Sequence, residues 1–144
     1  MNLSIRKASE KDTDAIYALI CELENTKYSK SAFCELLKQN VNDKRIGYFV
    51  AQVDEQTVGF GSVYLNKLLH HCGTVAEIQE LIIAKAYRNK KIGSNLLSEM
   101  IKWSEQHKAL QVEVCCNNSR NKAQSFYKSN GFVQTHQKLV LDRG

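Results

Sequence analysis

The feature that most constrains this chain is the run over residues 77–97, EIQELIIAKAYRNKKIGSNLL. It opens on Leu81, Ile82 and Ile83, an apolar segment of the buried-strand type. Lys85, Arg88, Lys90 and Lys91 then crowd a short turn. Gly93 follows, and a helix begins with Ile92, Leu96, Leu97, Met100 and Ile101 on one face. A strand, a basic turn and a helix N-terminus together make an anion site. The first helical N–H groups have no internal partner, and the helix dipole is positive where the cations stand. A phosphate or pyrophosphate is the expected ligand. The glycine patterns of a P-loop and of a dinucleotide fold are both absent.

At 144 residues the chain has the length of one domain, expected to span 1–144, with enough apolar sequence for a core. Apolar residues at 43% and charged residues at 24% exclude a disordered chain. The net charge of +5 favours anionic ligands, but without a basic block or basic-aromatic interleaving it does not point to nucleic acid. Cys21, Cys34, Cys72, Cys115 and Cys116 are odd in number and lack a C-x-x-C pair, which argues against a disulfide framework or structural zinc. Reduced, buried thiols are expected at Cys21 and Cys34. No leader-like or membrane-spanning stretch is present, so a cytoplasmic protein without a membrane partner is expected.

In chain order, residues 3–7 alternate as a first strand. Ser9 and Asp12 read as a near capping box, ahead of a helix with Ile16, Leu19, Ile20 and Leu23 that ends near Glu24. After a polar break over 28–31, Phe33, Leu36, Leu37 and Val41 mark a second amphipathic helix. Strands are expected over 48–53 and 57–65, joined by a turn at 54–56. Gly59 and Gly61 signal a bulge or close packing. His70 and His71 precede a strand over 74–83. The central helix, 92–107, leads to strands over 110–114 and 132–141, with a helix over 122–129 between them that Asn130 and Gly131 close. The pattern is a mixed α/β domain with helices on both faces of its sheet.

Arg88-Asn89-Lys90-Lys91-Ile92-Gly93 resembles the acetyl-CoA motif of the GNAT N-acetyltransferases, Gln/Arg-x-x-Gly-x-Gly/Ala. Lys91 stands where that family usually has glycine. Ala123-Gln124-Ser125-Phe126-Tyr127-Lys128-Ser129-Asn130-Gly131-Phe132 resembles the family's second signature, at the usual distance downstream. Arg120 replaces the asparagine that many members carry seven residues before the tyrosine. More narrowly, residues 17–23, His70-His71 and residues 77–81 resemble the aminoalkylphosphonate N-acetyltransferases, which share the departures at Lys91 and Arg120.

The resemblance implies a mainly antiparallel sheet of six to seven strands flanked by about four helices. It also implies acetyl-CoA as donor and a small primary amine as acceptor, of the aminoalkylphosphonate or amino-acid kind. Leu81, Ile82 and Ile83 would lend backbone groups to pantetheine. Arg88, Asn89, Lys90, Lys91, Ile92, Gly93 and Ser94, with Arg120 and Tyr127, would complete the cofactor site. The two early helices would wall the acceptor pocket, making Glu24, Tyr28 and Phe33 candidates there, against an ordinary reading as loop polars and a core aromatic. A homodimer is left open. The subfamily is associated with divalent metal, which is not assigned a role.

Acetyl transfer to an amine needs a neutral amine, a stabilised thioester oxygen and a proton for the departing thiolate. Glu77 is the first choice for the base, because it matches the catalytic glutamate of the histone-acetylating relatives. Glu80 is second, since its odd separation puts it on the other face unless a bulge intervenes. Either could instead be a partnered structural acid. Tyr127 is the candidate acid, or else a core tyrosine packed with Phe126 and Phe132. His70 and His71, as strand neighbours, point to opposite faces and do not easily serve one site. An acidic group on the acceptor would find cations and imidazoles in Lys27, Lys30, His70, His71 and Arg120. Two other classes compete: a protein or peptide N-acetyltransferase, and a non-catalytic acyl-CoA binder, which would need neither Glu77 nor Tyr127.

Overall fold

The computed structural model describes residues 1–116 and 121–144. They form two compact units, Met1–Glu113 and Val114–Gly144. In the first, strand β1 (Leu3–Lys7) leads through a 3₁₀ turn to helices α1 (Thr13–Glu24) and α2 (Lys30–Val41). Strands β2 (Ile46–Val53), β3 (Gln56–Leu68) and β4 (Gly73–Ile83) follow, then helix α3 (Ile92–Gln106); strand β5 (Val112–Val114) spans the boundary between the two units in the chain. The sheet runs β1-β2-β3-β4-β5, and the pairings among its first four strands are antiparallel. Helix α4 (Asn121–Ser129) belongs to the second unit.

Alternation along β2 sorts the core into two layers. Ile46, Tyr48, Val50, Phe60 and Ile82 pack with Ile16, Leu19 and Leu37 of α1 and α2. Ala51, Val53 and Val58 pack with Ile92 at the start of α3. α1 is anchored at its start, where Asp12 is buried and takes Arg6 at 2.8 and 2.9 Å and the Ser9 N–H at 2.9 Å. That pairing with Arg6 holds the Asp12 carboxyl below the usual range.

Several expectations are corrected. Among the described residues the sheet has five strands, not six to seven. Residues 132–144, expected to hold a strand over 132–141, carry no regular secondary structure. His70 and His71 lie on a 3₁₀ turn, Leu69–His71, instead of a strand approach, and their rings meet at 4.4 Å. Cys21 and Cys34 are half-buried thiols, not fully buried ones. Among the described residues, no helix is long and apolar enough to cross a membrane.

Gly59 does mark close packing. A Cβ there would stand 2.7 Å from Ile83 Cδ1 and 3.3 Å from the Ile82 carbonyl oxygen. A register shift adjoins it: Ala51 faces Gly59 while Gln52 faces Thr57, which leaves Val58 as the extra residue.

Candidate active site

A second shift, between β3 and β4, decides how the two glutamates are placed. Ser62 faces Glu80 and Val63 faces Ile78, so Gln79 is the extra residue of a bulge. Tyr64 then faces Glu77. Ser62 and Tyr64 are two apart on β3 and share a face, so Glu77 and Glu80 share it too. Strict alternation would have separated them.

Their surroundings differ. Glu80 accepts a hydrogen bond from the Ser62 hydroxyl, and its own N–H donates to Ser62 Oγ at 3.0 Å. Ser62 is fully buried. Loss of water raises the Glu80 carboxyl above its ordinary value; the Ser62 bond opposes this, and the Glu24 carboxylate adds to it. Glu77 accepts a hydrogen bond from Asn66 Nδ2 at 3.4 Å.

Glu80 lines a cavity of about 320 Å³ between this face of the sheet and helices α1 and α2. Glu24 from the end of α1, Tyr28 from the following loop and Phe33 from α2 line it as well, so all three acceptor-site candidates meet there. Glu77, His70 and His71 are not among its described lining residues. Three lining residues escaped sequence reasoning. Asn40 Nδ2 donates to Tyr48 Oη at 2.7 Å and to Tyr64 Oη at 3.3 Å, and the two phenols are 3.2 Å apart. Burial raises the Tyr64 phenol, and the Tyr48 bond adds to it, so Tyr64 stays protonated across the neutral range. The available signal was faint: Asn40 follows Leu36 and Leu37 at helical spacing, and both tyrosines fall on the buried parity of their strands.

On the way from β4 to α3 the chain makes a 3₁₀ turn, Lys85–Tyr87, and then takes positive φ at Asn89 (64°) and Lys91 (63°). Lys91 therefore occupies a backbone conformation that glycine adopts most easily. The Asn95 N–H bonds the Lys91 carbonyl at 3.1 Å as the helix begins. The N–H groups of Ile92, Gly93 and Ser94 precede that first turn and have no carbonyl one turn earlier to bond. Ile92 is buried and fixes the helix start in the core. Arg88 is engaged: Nε donates to the Ile83 carbonyl at 2.9 Å and Nη2 to Glu22 at 3.4 Å. Lys90 Nζ lies 5.7 Å from the Tyr87 ring centre. Helix-start donors, an exposed cation and a dipole suit the pyrophosphate of a nucleotide cofactor.

In the second unit, Tyr127 is buried on α4 and packs edge-on to Phe126 and Phe132 at 5.2 and 5.4 Å. Burial, followed by the charge at Cys116, raises its phenol, which therefore holds its proton at neutral pH. Arg120, a cofactor candidate, lies outside the described residues. Among the described residues, no group of three or more His, Cys, Asp or Glu could hold a metal ion.

The sequence model of the acetyltransferase (GNAT) family matches residues 11–132. The chain belongs to that family. It is an N-acetyltransferase, and GNAT enzymes take the acetyl group from acetyl-CoA. It is 36% identical over 132 residues to the aminoalkylphosphonate N-acetyltransferase of Salmonella typhimurium, covering 92% of this chain and 86% of that one. A Bacillus halodurans protein described as a transcriptional regulator shares the fold, with a TM-score of 0.91, 23% identity and coverage of 98% and 99%. So does glucosamine-6-phosphate N-acetyltransferase from Arabidopsis thaliana, with a TM-score of 0.84, 16% identity and full coverage of both chains.

Proposed function

We propose that this GNAT enzyme acetylates the primary amine of a small acceptor held in the 320 Å³ cavity, with Glu80 as general base. One observation carries the reading: Glu80 lines that cavity, and its carboxyl is raised by burial. A base lifted toward neutrality takes a proton from an incoming ammonium more readily than an ordinary carboxylate does. The Ser62 hydroxyl holds one oxygen and fixes the group's orientation. Glu77 shares the face and is the second candidate. Tyr127, protonated at neutral pH, is proposed as the acid that serves the departing thiolate. Acetyl-CoA, when bound, supplies the activated acetyl group. The N–H groups of residues 92–94 with Lys90 and Lys91 would hold its pyrophosphate, and Arg88 would brace the turn. The main chain of Leu81, Ile82 and Ile83 would meet pantetheine. Residues 1–144 are proposed as one acetyltransferase domain, since the family match runs through both compact units.

For the acceptor, the reading is an amine with an acidic group, an aminoalkylphosphonate or an amino acid. Its support is the 36% identity to the Salmonella enzyme. Glu24 and Glu80 line the cavity, and no Lys, Arg or His does so among the described residues. The ammonium end therefore enters first, leaving the acidic group at the side where Lys27 and Lys30 flank Tyr28 in the chain. A second reading, a neutral or dicationic amine, is favoured by the same two carboxylates together with the phenols of Tyr28, Tyr48 and Tyr64. Thiol-release assays should compare kcat/KM for aminoethylphosphonate, an amino acid, a neutral amine of equal length, a short diamine and a peptide. A preference of at least about tenfold for the acid-bearing amines is expected, the selectivity of one well-placed charged contact. Preference for the diamine or neutral amine supports the second reading. Preference for the peptide overturns the small-molecule assignment.

A further inference from the structure

Asn40, Tyr48 and Tyr64 all line the cavity, and their hydrogens outnumber the contacts they make with one another. Asn40 Nδ2 reaches Tyr48 Oη at 2.7 Å and Tyr64 Oη at 3.3 Å, and the two phenol oxygens are 3.2 Å apart. The amide donates to both phenols, and one phenol donates to the other. The hydrogen of the second phenol is left over. Tyr48 is buried whereas Tyr64 is only partly so, which puts the open side of the pair at Tyr64. The Glu80 carboxylate takes its hydrogen bond from Ser62. The spare phenol hydrogen therefore faces the cavity.

The charges around it select what it can meet. Glu24 and Glu80 line the same cavity, and no Lys, Arg or His does so among the described residues. An anionic oxygen is repelled in such a place. A hydroxyl fits, because it accepts from the phenol and donates its own hydrogen to a lining carboxylate, which a carbonyl or ether cannot do. Tyr64 stands two residues from Ser62 on β3, and Ser62 faces Glu80. That step is about 7 Å along the strand. With the acceptor nitrogen against Glu80, a hydroxyl on the neighbouring carbon comes within reach of Tyr64.

We propose that Asn40, Tyr48 and Tyr64 form a specificity subsite for a hydroxyl beside the acceptor's amine, so that vicinal amino alcohols are the preferred acceptors. The proposal rests on the reading of this cavity as the acceptor site with Glu80 as base. Asn40 acts as a positioning residue: it holds both phenol oxygens and leaves the hydrogen of one of them to the acceptor.

Thiol-release assays on matched pairs test this, serine against alanine and ethanolamine against ethylamine, since each pair differs only in the hydroxyl. Wild type should favour the hydroxylated member by at least about tenfold in kcat/KM, the discrimination of a site whose polar group is left unpaired by the other member. In the double variant Tyr48→Phe, Tyr64→Phe that ratio should fall below about threefold, mainly through a higher KM for the hydroxylated amine. A purely structural role would lower both members alike and keep the ratio. A wild-type ratio near one overturns the proposal, as does a ratio retained in the double variant or a failure to turn over any of the four amines. If neither the double variant nor Glu80→Gln changes either member of the pairs, the acceptor does not enter this cavity, and the reading beneath the proposal fails with it. A wild-type ratio near one together with an inactive Glu80→Gln removes the subsite alone.

Discussion

Burial of Glu80 favours its protonated form, so the folded chain binds that proton more tightly than the unfolded chain does. Folding stability from this group is therefore greatest at low pH. It is lost as pH rises from the ordinary carboxylate value through the raised folded value. Glu80→Gln removes the ionisation and keeps a group that can bond Ser62. The variant should melt higher than wild type at pH 7, with the gap closing near pH 4 or below, where Glu80 is protonated in both states. A pH-independent gap would assign the effect to packing. Lys91 offers a second check at this scale. Its φ of 63° tolerates lysine but penalises a β-branched side chain, so Lys91→Val should cost about 1–2 kcal/mol in denaturant melts. The Lys91 departure from the family's glycine was visible in the sequence, but its backbone conformation was not. The Glu80–Ser62 pair was invisible for a different reason: its partners are 18 residues apart and meet only across the ladder.

Among the elements, the strand, turn and helix over 77–97 were legible because hydrophobic period, charge and Gly93 all agreed there. The bulge at Gln79 was not, since no glycine or proline marks it and alternation assigns Glu77 and Glu80 to opposite faces. The expected last strand over 132–141 is not formed, because apolar composition records only strand propensity, and propensity alone does not build a ladder. The helix start carries its own prediction. Lys90→Glu reverses a charge beside the free N–H groups and leaves the Arg88–Glu22 contact intact. Titration calorimetry should show acetyl-CoA binding weakened by about 1 kcal/mol at low salt, and by less at high salt as screening takes over. Unchanged affinity at low salt would move the pyrophosphate elsewhere.

At the scale of the molecule, the family and most of the element order could be read from two motifs and the periodicity around them. The cavity could not. Its walls come from both early helices and from β2, β3 and β4, and the Asn40, Tyr48 and Tyr64 cluster joins residues up to 24 apart. Tyr64→Phe should therefore raise the acceptor KM several-fold with little change in kcat or acetyl-CoA affinity, the pattern of a lost binding contact. The central claim concerns which carboxylate accepts the proton in that cavity. It is tested most directly by kcat/KM against pH for wild type, Glu80→Gln and Glu77→Gln, with acetyl-CoA affinity measured alongside. Glu80→Gln should lose on the order of 10²–10⁴-fold at neutral pH, with less loss as pH nears the amine's own pKa and with acetyl-CoA binding preserved. Glu77→Gln should lose less. Full activity and an unchanged pH profile in Glu80→Gln would contradict the account.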